Sequence, residues 1–381
     1  MANVKPFKAV RPVKENIDTL SSKLFEVFSD ENLNASQVKS RYQEFKTSGE
    51  LTQEEIPAFY VYQKKTKTNN FCGIIASVAT EDYHNDVIKI HESTLKQREI
   101  LFENFLKSTR FTTEPVLLTY PDNQDIDGII EKYQSTTPEY SFISNEEAHF
   151  LWIINNEKDI QTVVNEFHKV ETLYIADGHH RTTSSCALGN NLAKASQNHT
   201  GKEPYNYFMT YLLSESQLSV YEFNRFIKDL NGLSSEEFLD KLKVHFAIEN
   251  KGITPYKPIK KHQFSMYLNG EFYALSLRKN KYEFTNILSK LDAEILYRTV
   301  LKPILGIEDI RNASKIKYSQ NKSGSLELKT QVDNGNYQVA FGMKATTIEE
   351  IKNIVDAGLV MPPKTTYIEP KLTNTLTIYE F

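Results

Sequence analysis

Runs of apolar residues, broken by polar punctuation, divide the chain into elements. "AFYVYQK" from Ala58 and "FCGIIASVA" from Phe71 are nearly continuous apolar runs and predict two strands. The polar stretch "KTKTNN" between them predicts a hairpin loop. "HESTLKQREILFENFLKS" predicts a helix whose apolar face is Leu95, Ile100, Phe102, Phe105 and Leu106. "EPVLLTYPDN" reads as a buried strand closing on turn residues. "HFLWII" and "TLYIA" are further strands, the second short and wholly apolar in the manner of a central strand. "TTSSCALGNNLAKA" predicts a helix with a hydroxyl-rich start, and "YNYFMTYLLS" with "LSVYEF" a strand pair. The region from Asp18 to Lys46 is rich in charge and helix formers.

A domain boundary is expected near residue 230. Asn231-Gly232 makes a turn there, and Ser234-Ser235-Glu236-Glu237 starts a helix with capping residues. Residues 1–230 then form an α/β core with an N-terminal elaboration, and residues 231–381 an α+β region. In that region "QFSMYLN" and "FYALSLR" flank Gly270, "LDAEILYRTVL" and "TIEEIKNIVDAG" read as helices, and "YQVAFG" as a strand. The last segment, "MPPKTTYIEPKLTNTLTIYEF", is irregular and contains prolines before a terminal strand. Its polar groups are diverse for a tail, and it is expected to fold back on the functional site.

With 381 residues and 40% of them hydrophobic, the chain can bury a substantial core. A formal net charge of -4 gives no support for non-specific nucleic-acid binding, which uses a basic surface. No stretch approaches the ~20 apolar residues of a membrane span. Cys72 and Cys186 fit no metal or redox spacing, and the N-terminus "MANVKPFKAVRP" lacks the apolar core of a signal peptide. A cytoplasmic protein with reduced thiols is the expectation.

The chemistry gathers at "YIADGHHRTTSS", where an apolar strand hands over to a helix. Ligands of α/β proteins bind at the carboxyl ends of strands. A helix N-terminus there offers free amides and a positive dipole end to an anion. Gly178 lets the backbone approach a ligand or take positive φ. Arg181 can fork onto a phosphate, and His179 and His180 can donate to phosphate oxygens or move protons. Thr182 follows as a further phosphate contact or helix cap. Asp177 fits a magnesium ligand, a base, or an orienter of a histidine or hydroxyl.

A second candidate is "VIKIHEST", where Glu92 beside His91 can serve as a general base toward a hydroxyl. A metal site shared by His91, His179 and His180 is a further candidate, although adjacent histidines do not share one helix face. The second histidine of H-E-x-x-H is missing, as are the P-loop, the G-x-G-x-x-G turn and the G-x-S-x-G elbow. Any nucleotide is therefore held by an unconventional site. In the tail, Lys364 follows Pro362-Pro363, and Lys371 stands nearby with the hydroxyls of Thr365, Thr366 and Tyr367. Arg11 and Arg225 are weaker candidates, each also suited to a structural ion pair.

Taken together, "PFKAVRP", "VIKIHEST", "EPVLLTYPDN", "YIADGHHR", "EFNRFIKDLNG", "LKPILGIED" and "MPPKTTYIEPKL" resemble a bacterial and archaeal family of uncharacterised proteins. That family's hallmark is a D-G-H-H-R run after an apolar strand. It falls in the ParB/sulfiredoxin superfamily, which includes the free-serine kinases. The resemblance implies a ParB/sulfiredoxin-like mixed-sheet core, and phosphate binding by His179, His180 and Arg181 with Asp177 near the metal or hydroxyl. One departure stands out: where many relatives carry a Pro-Tyr-Asp-Val-like stretch, this chain has Leu24-Phe25-Glu26-Val27. Sulfiredoxin chemistry would need a cysteine at the corner, and none is there.

The expected activity is a nucleotide-dependent kinase acting on free serine or a similar hydroxylated metabolite, with Mg2+ and ADP or ATP. Asp177 or Glu92 would receive the hydroxyl proton, with His180 assisting. A non-catalytic nucleotide sensor and a phosphohydrolase using the same pocket stay beside it as alternatives. No nucleic-acid or membrane partner is expected.

Overall fold

The computed structural model describes the chain except residues 31, 312–313, 321–323 and 373–375 and the side chains of residues 16 and 18. It divides into two compact units. Met1–Leu218 together with Pro370–Phe381 form the first, and Ser219–Glu369 the second. The turn at Asn231-Gly232 is therefore no boundary: Ile227 before it and Phe238 after it share one core. Residues 373–375 of the tail motif lie outside the described residues.

In the first unit the strands are β1 (Val4–Lys5), β2 (Val10–Pro12), β3 (Leu51–Gln53), β4 (Phe59–Lys65), β5 (Asn70–Ala79), β6 (Ile88–Lys89), β7 (Phe111–Thr112), β8 (Val116–Tyr120), β9 (Tyr140–Ser144), β10 (Glu147–Ile154), β11 (Leu173–Asp177) and β12 (Tyr207–Ser214). The helices are α1 (Ile17–Ser29), α2 (Ala35–Thr47), α3 (Thr80–His84), α4 (Lys96–Thr109), α5 (Gln124–Gln134), α6 (Glu157–His168) and α7 (His179–Ala195). Nine strands make one mixed sheet, ordered β6-β11-β8-β12-β5-β4-β10-β9, with β1 paired to β5 off that path. β6 runs parallel to β11, and β12 parallel to β8. The expected mixed α/β core is present.

The apolar runs explain the sheet. Every residue of β5 after Asn70 is buried, and β4 meets it antiparallel from Tyr60↔Ile75 to Lys65↔Asn70 across the expected hairpin. Asn side chains start three helices by accepting backbone N–H bonds: Asn34 for α2, Asn123 for α5 and Asn156 for α6. Ile74, Val61, Leu118, Ile175 and Phe167 meet in the main core.

Three expectations change. "TLYIA" is not central: β11 has only the two-residue β6 outside it, although its residues are buried. "YNYFMTYLLS" and "LSVYEF" do not pair, because β5 and β8 already occupy both edges of β12. Ser219–Tyr221 pairs instead with Tyr367–Glu369 inside the second unit. The apolar face of α4 is narrower than its sequence suggests. Leu106 is buried, but Leu95 is the N-cap outside the helix and Ile100 is exposed.

The second unit is built on a six-stranded antiparallel sheet. Its central hairpin joins Gln263–Leu268 to Glu271–Leu277, as expected around Gly270. The "LDAEILYRTVL" helix is α-helical over Asp292–Leu296 and continues as one π turn over Tyr297–Leu301.

Candidate functional site

Two parallel strands deliver the site. β6 and β11 pair in parallel, so their carboxyl ends emerge side by side. His91 lies two residues beyond the first and His179 two residues beyond the second. Open α/β sheets place ligands in such a crevice. β11 carries a bulge between Ile175 and Asp177, which re-aims the acid at the strand end.

Gly178 caps α7 at φ +97°, a conformation that resists any other residue. An added Cβ would also lie 3.2 Å from the Arg181 guanidinium. Gly178 has no side chain to cap this helix, so capping leaves its first amides to other acceptors. The threonines turn inward instead. Thr182 is wholly buried and donates to the Gly178 carbonyl (3.2 Å), and Thr183 donates to the His179 carbonyl (3.0 Å). The expected contact from the Thr182 hydroxyl to phosphate has no free group to make it.

The corner splits into two sides. On one, charges are paired. Arg181 donates to Asp177 Oδ2 and to the Pro115 carbonyl, both at 2.8 Å, and meets Glu114 at 3.2 Å. Lys371 donates to Asp177 Oδ1. Both carboxylate oxygens of Asp177 thus face a cation. A Mg2+ ion wants carboxylate oxygens of its own, so Asp177 as placed does not fit that role.

The other side is imidazole. The rings of His91 and His179 meet edge to face with centroids 4.4 Å apart. The His91 amide approaches His179 Nε2 at 3.4 Å, and the His91 ring hydrogen-bonds the Ile175 backbone. Burial drives His91 down to about 4 against 6.5 in the open chain, with Lys371 adding to the effect. Burial pushes His179 well below its ordinary value too, helped by His91, Lys371 and His180. Both are neutral at pH 7. One ligand atom from each of His91, Glu92 and His179 lies within 4.8 Å of the others, and Glu92 is exposed. The metal trio expected with His180 therefore has Glu92 in its place.

His180 points elsewhere. It lines a cavity of about 530 Å3 with Arg98, Phe28, Phe102, Phe105 and Phe111. Its Nδ1 is buried without a hydrogen-bond partner among the described residues. Burial lowers its pKa, with Arg98 adding to the shift. Glu99 nearby is held below the usual carboxylate range by the Thr94 hydroxyl and by Lys96.

The remaining candidates have other settings. Arg11 is buried, bonded to Glu54 and Tyr140 at 2.5 Å and close to Glu139. Arg225 belongs to the second unit, fully buried, and donates to the Phe223 and Lys364 carbonyls. Lys364 belongs there too, its ammonium 5.6 Å from the Phe223 ring centre. Arg98 and Glu114 were missed in the sequence. Arg98 looked like one charge among many on a helix, and only the approach of α4 to α7 sets it beside His180.

A family described as "Protein of unknown function (DUF1015)" matches residues 29–294. The chain belongs to the DUF1015 family. No curated protein matches it. Among solved structures, a free serine kinase variant in complex with AMP is similar over 80% of this chain and 91% of its own, at 15% identity and TM-score 0.40. SbnI with C-terminal truncation from Staphylococcus aureus is similar over 79% and 85%, at 12% identity and TM-score 0.42. A conserved hypothetical protein from Pyrococcus furiosus is similar over 81% and 94%, at 14% identity and TM-score 0.36. No described helix of this DUF1015 chain is long and apolar enough to cross a membrane.

Proposed function

We propose that the protein binds an adenine nucleotide at the start of α7 and transfers its terminal phosphoryl group to the hydroxyl of a small metabolite, serine or a relative of it. The observation that carries this reading is the double position of His180. It stands in the first turn of α7 and also in the wall of the aromatic cavity. A nucleotide needs that junction: a flat apolar slot for the base, opening onto donors for phosphate. Phe102, Phe105 and Phe111 supply the slot, and its volume suits a small-molecule ligand. The first-turn amides of α7, His180 and Arg98 would supply the donors.

Phosphoryl transfer asks the protein chiefly for position and charge neutralisation. The acceptor oxygen bonds to the terminal phosphorus as the bond from phosphorus to the departing nucleotide breaks. The hydroxyl proton goes to the Glu92 carboxylate, which is exposed, whereas Asp177 is neutralised by Arg181 and Lys371. Arg181 then acts as a brace for Asp177 and Pro115 more than as a phosphate fork. The D-G-H-H-R run also supports placing the first unit with the ParB/sulfiredoxin proteins.

The test is thermal stability against AMP, ADP and ATP for wild type and His180→Ala. A ligand at ~100 times its dissociation constant adds about 2.7 kcal/mol to the folded state. A rise for wild type that vanishes in His180→Ala, with the ligand-free melting point unchanged, is the expected result. Glu92→Gln should then keep binding and lose transfer. No rise with any nucleotide would defeat the reading.

A further inference from the structure

The phosphate reading leaves two buried imidazoles without a task. His91 and His179 do not line the aromatic cavity, yet each projects from the carboxyl end of a strand toward the other. We infer that His91, Glu92 and His179 bind a divalent transition ion of the zinc class, through two ring nitrogens and one carboxylate oxygen.

Four observations carry this. The three donor atoms already lie within 4.8 Å of one another. Around a tetrahedral ion with bonds of ~2.0–2.2 Å, ligand atoms stand about 3.3 Å apart. Closing onto an ion asks the donors to move by at most about 1.5 Å, of which the exposed Glu92 can supply its share by rotating its side chain. Next, the His91 ring is anchored on the Ile175 backbone. A carbonyl on one ring nitrogen fixes the tautomer and leaves the other nitrogen as a ligand, the usual outer support of a metal-bound histidine. Third, the contact that engages His179 Nε2 is long, 3.4 Å from the His91 amide, and costs little to give up. Fourth, the donor set selects the metal. Two imidazoles and one carboxylate suit zinc or cobalt, while Mg2+ and Ca2+ prefer oxygen alone.

Three protein ligands leave coordination positions for water or a ligand oxygen, the pattern of a working site more than of a structural one. The ammonium of Lys371 is near enough to depress both imidazoles, and its bond to Asp177 anchors it. Asp177 thereby screens one cation from the next. This site goes beyond the nucleotide reading and does not depend on it. With the ion bound Glu92 is a ligand, and its part as proton acceptor belongs to the metal-free protein.

Co2+ is the probe. It is titrated into the full chain, stripped with chelator and free of nucleotide, and followed by visible absorption. Saturation at one equivalent with ligand-field bands, displaced by Zn2+, is expected. Glu92→Ala should weaken binding at least tenfold while leaving the far-ultraviolet spectrum unchanged, since the side chain is exposed. His179→Gln should abolish the bands in protein shown to be folded by the same spectrum. Absence of bands in folded wild type would overturn the inference, as would equal affinity in Glu92→Ala. Nucleotide binding is measured separately in chelator, so failure of one reading leaves the other standing.

Discussion

Both units bury titratable side chains. The first buries acids such as Asp82 and Asp159, but at its corner it buries two bases, His91 and His179, both forced neutral. The second buries an acid, Asp292, which is 2% exposed and accepts the His262 amide at 2.8 Å. Burial raises that acid to about 6, against the pull of Lys261. Arg225 is buried in the second unit as well, with its guanidinium on backbone carbonyls. The imidazoles stand beside an exposed carboxylate and a helix start that no N-cap side chain closes. Asp292 is sealed, and its neighbours serve to close loops. Burial of charge alone does not distinguish a site from a structural staple. Access to unspent donors does.

The corner of the first unit is most sensitive at Asp177. Replacing it with Ala leaves Arg181 and Lys371 without their shared anion, and losing one side of a half-buried cluster costs about 2 kcal/mol, between an exposed and a fully buried pair. Urea unfolding followed by the fluorescence of Trp152, the single tryptophan and a core residue of the first unit, reads this directly. A loss under about 1 kcal/mol would mean that solvent screens the corner as it does an ordinary surface pair.

pH separates the units next. An imidazole with a depressed folded-state pKa takes up its proton only in the open chain between 6.5 and about 4. Its contribution is whole above 6.5 and is lost as pH falls toward 4. For His91 this amounts to about 2 kcal/mol between pH 7 and pH 5. The Trp152 transition of metal-free protein should move to lower urea by that amount, beyond whatever a His91→Asn variant shows.

Asp292 runs the other way. Its folded-state value is raised, so its contribution is present below 3.8 and lost as pH rises through about 6. Asp292→Asn should therefore gain up to about 3 kcal/mol at pH 7 and well under about 1 kcal/mol at pH 4, since removing a desolvated charge is favourable only where the charge exists. Calorimetry at the two pH values checks it. A gain at both would point to packing instead of ionisation.

Much of the first unit was legible because its strands are continuous apolar runs, and a run such as Leu173–Ala176 ending in Asp-Gly can hardly be anything but a strand meeting a turn. The corner's importance was legible for the same reason. Its division of labour was not. Arg181 looks like a phosphate fork until Glu114 and Pro115 arrive from the start of β8 to occupy it. Thr182 looks like a cap until its hydroxyl turns to the carbonyl four residues back. Lys371 gave no sign that it, and not Lys364, would meet Asp177, because that contact joins positions 194 apart. Local pattern fixes which residues cluster along a strand or helix. It is silent on which distant side chain will satisfy them.

The first unit is closed by its last twelve residues, and that has a consequence for synthesis. Ile378 bridges Val10, Tyr379 and Glu380 pair with β7, and Lys371 neutralises half of Asp177. Between β12 and that segment the ribosome must make the whole second unit, roughly 150 residues, which takes on the order of 8 to 30 s at ordinary elongation rates. Through that interval the corner exists without its lysine and the sheet without its final clasp. The part of the chain made first is thus the part finished last, and the nascent protein holds an unfinished crevice open while its neighbour folds to completion.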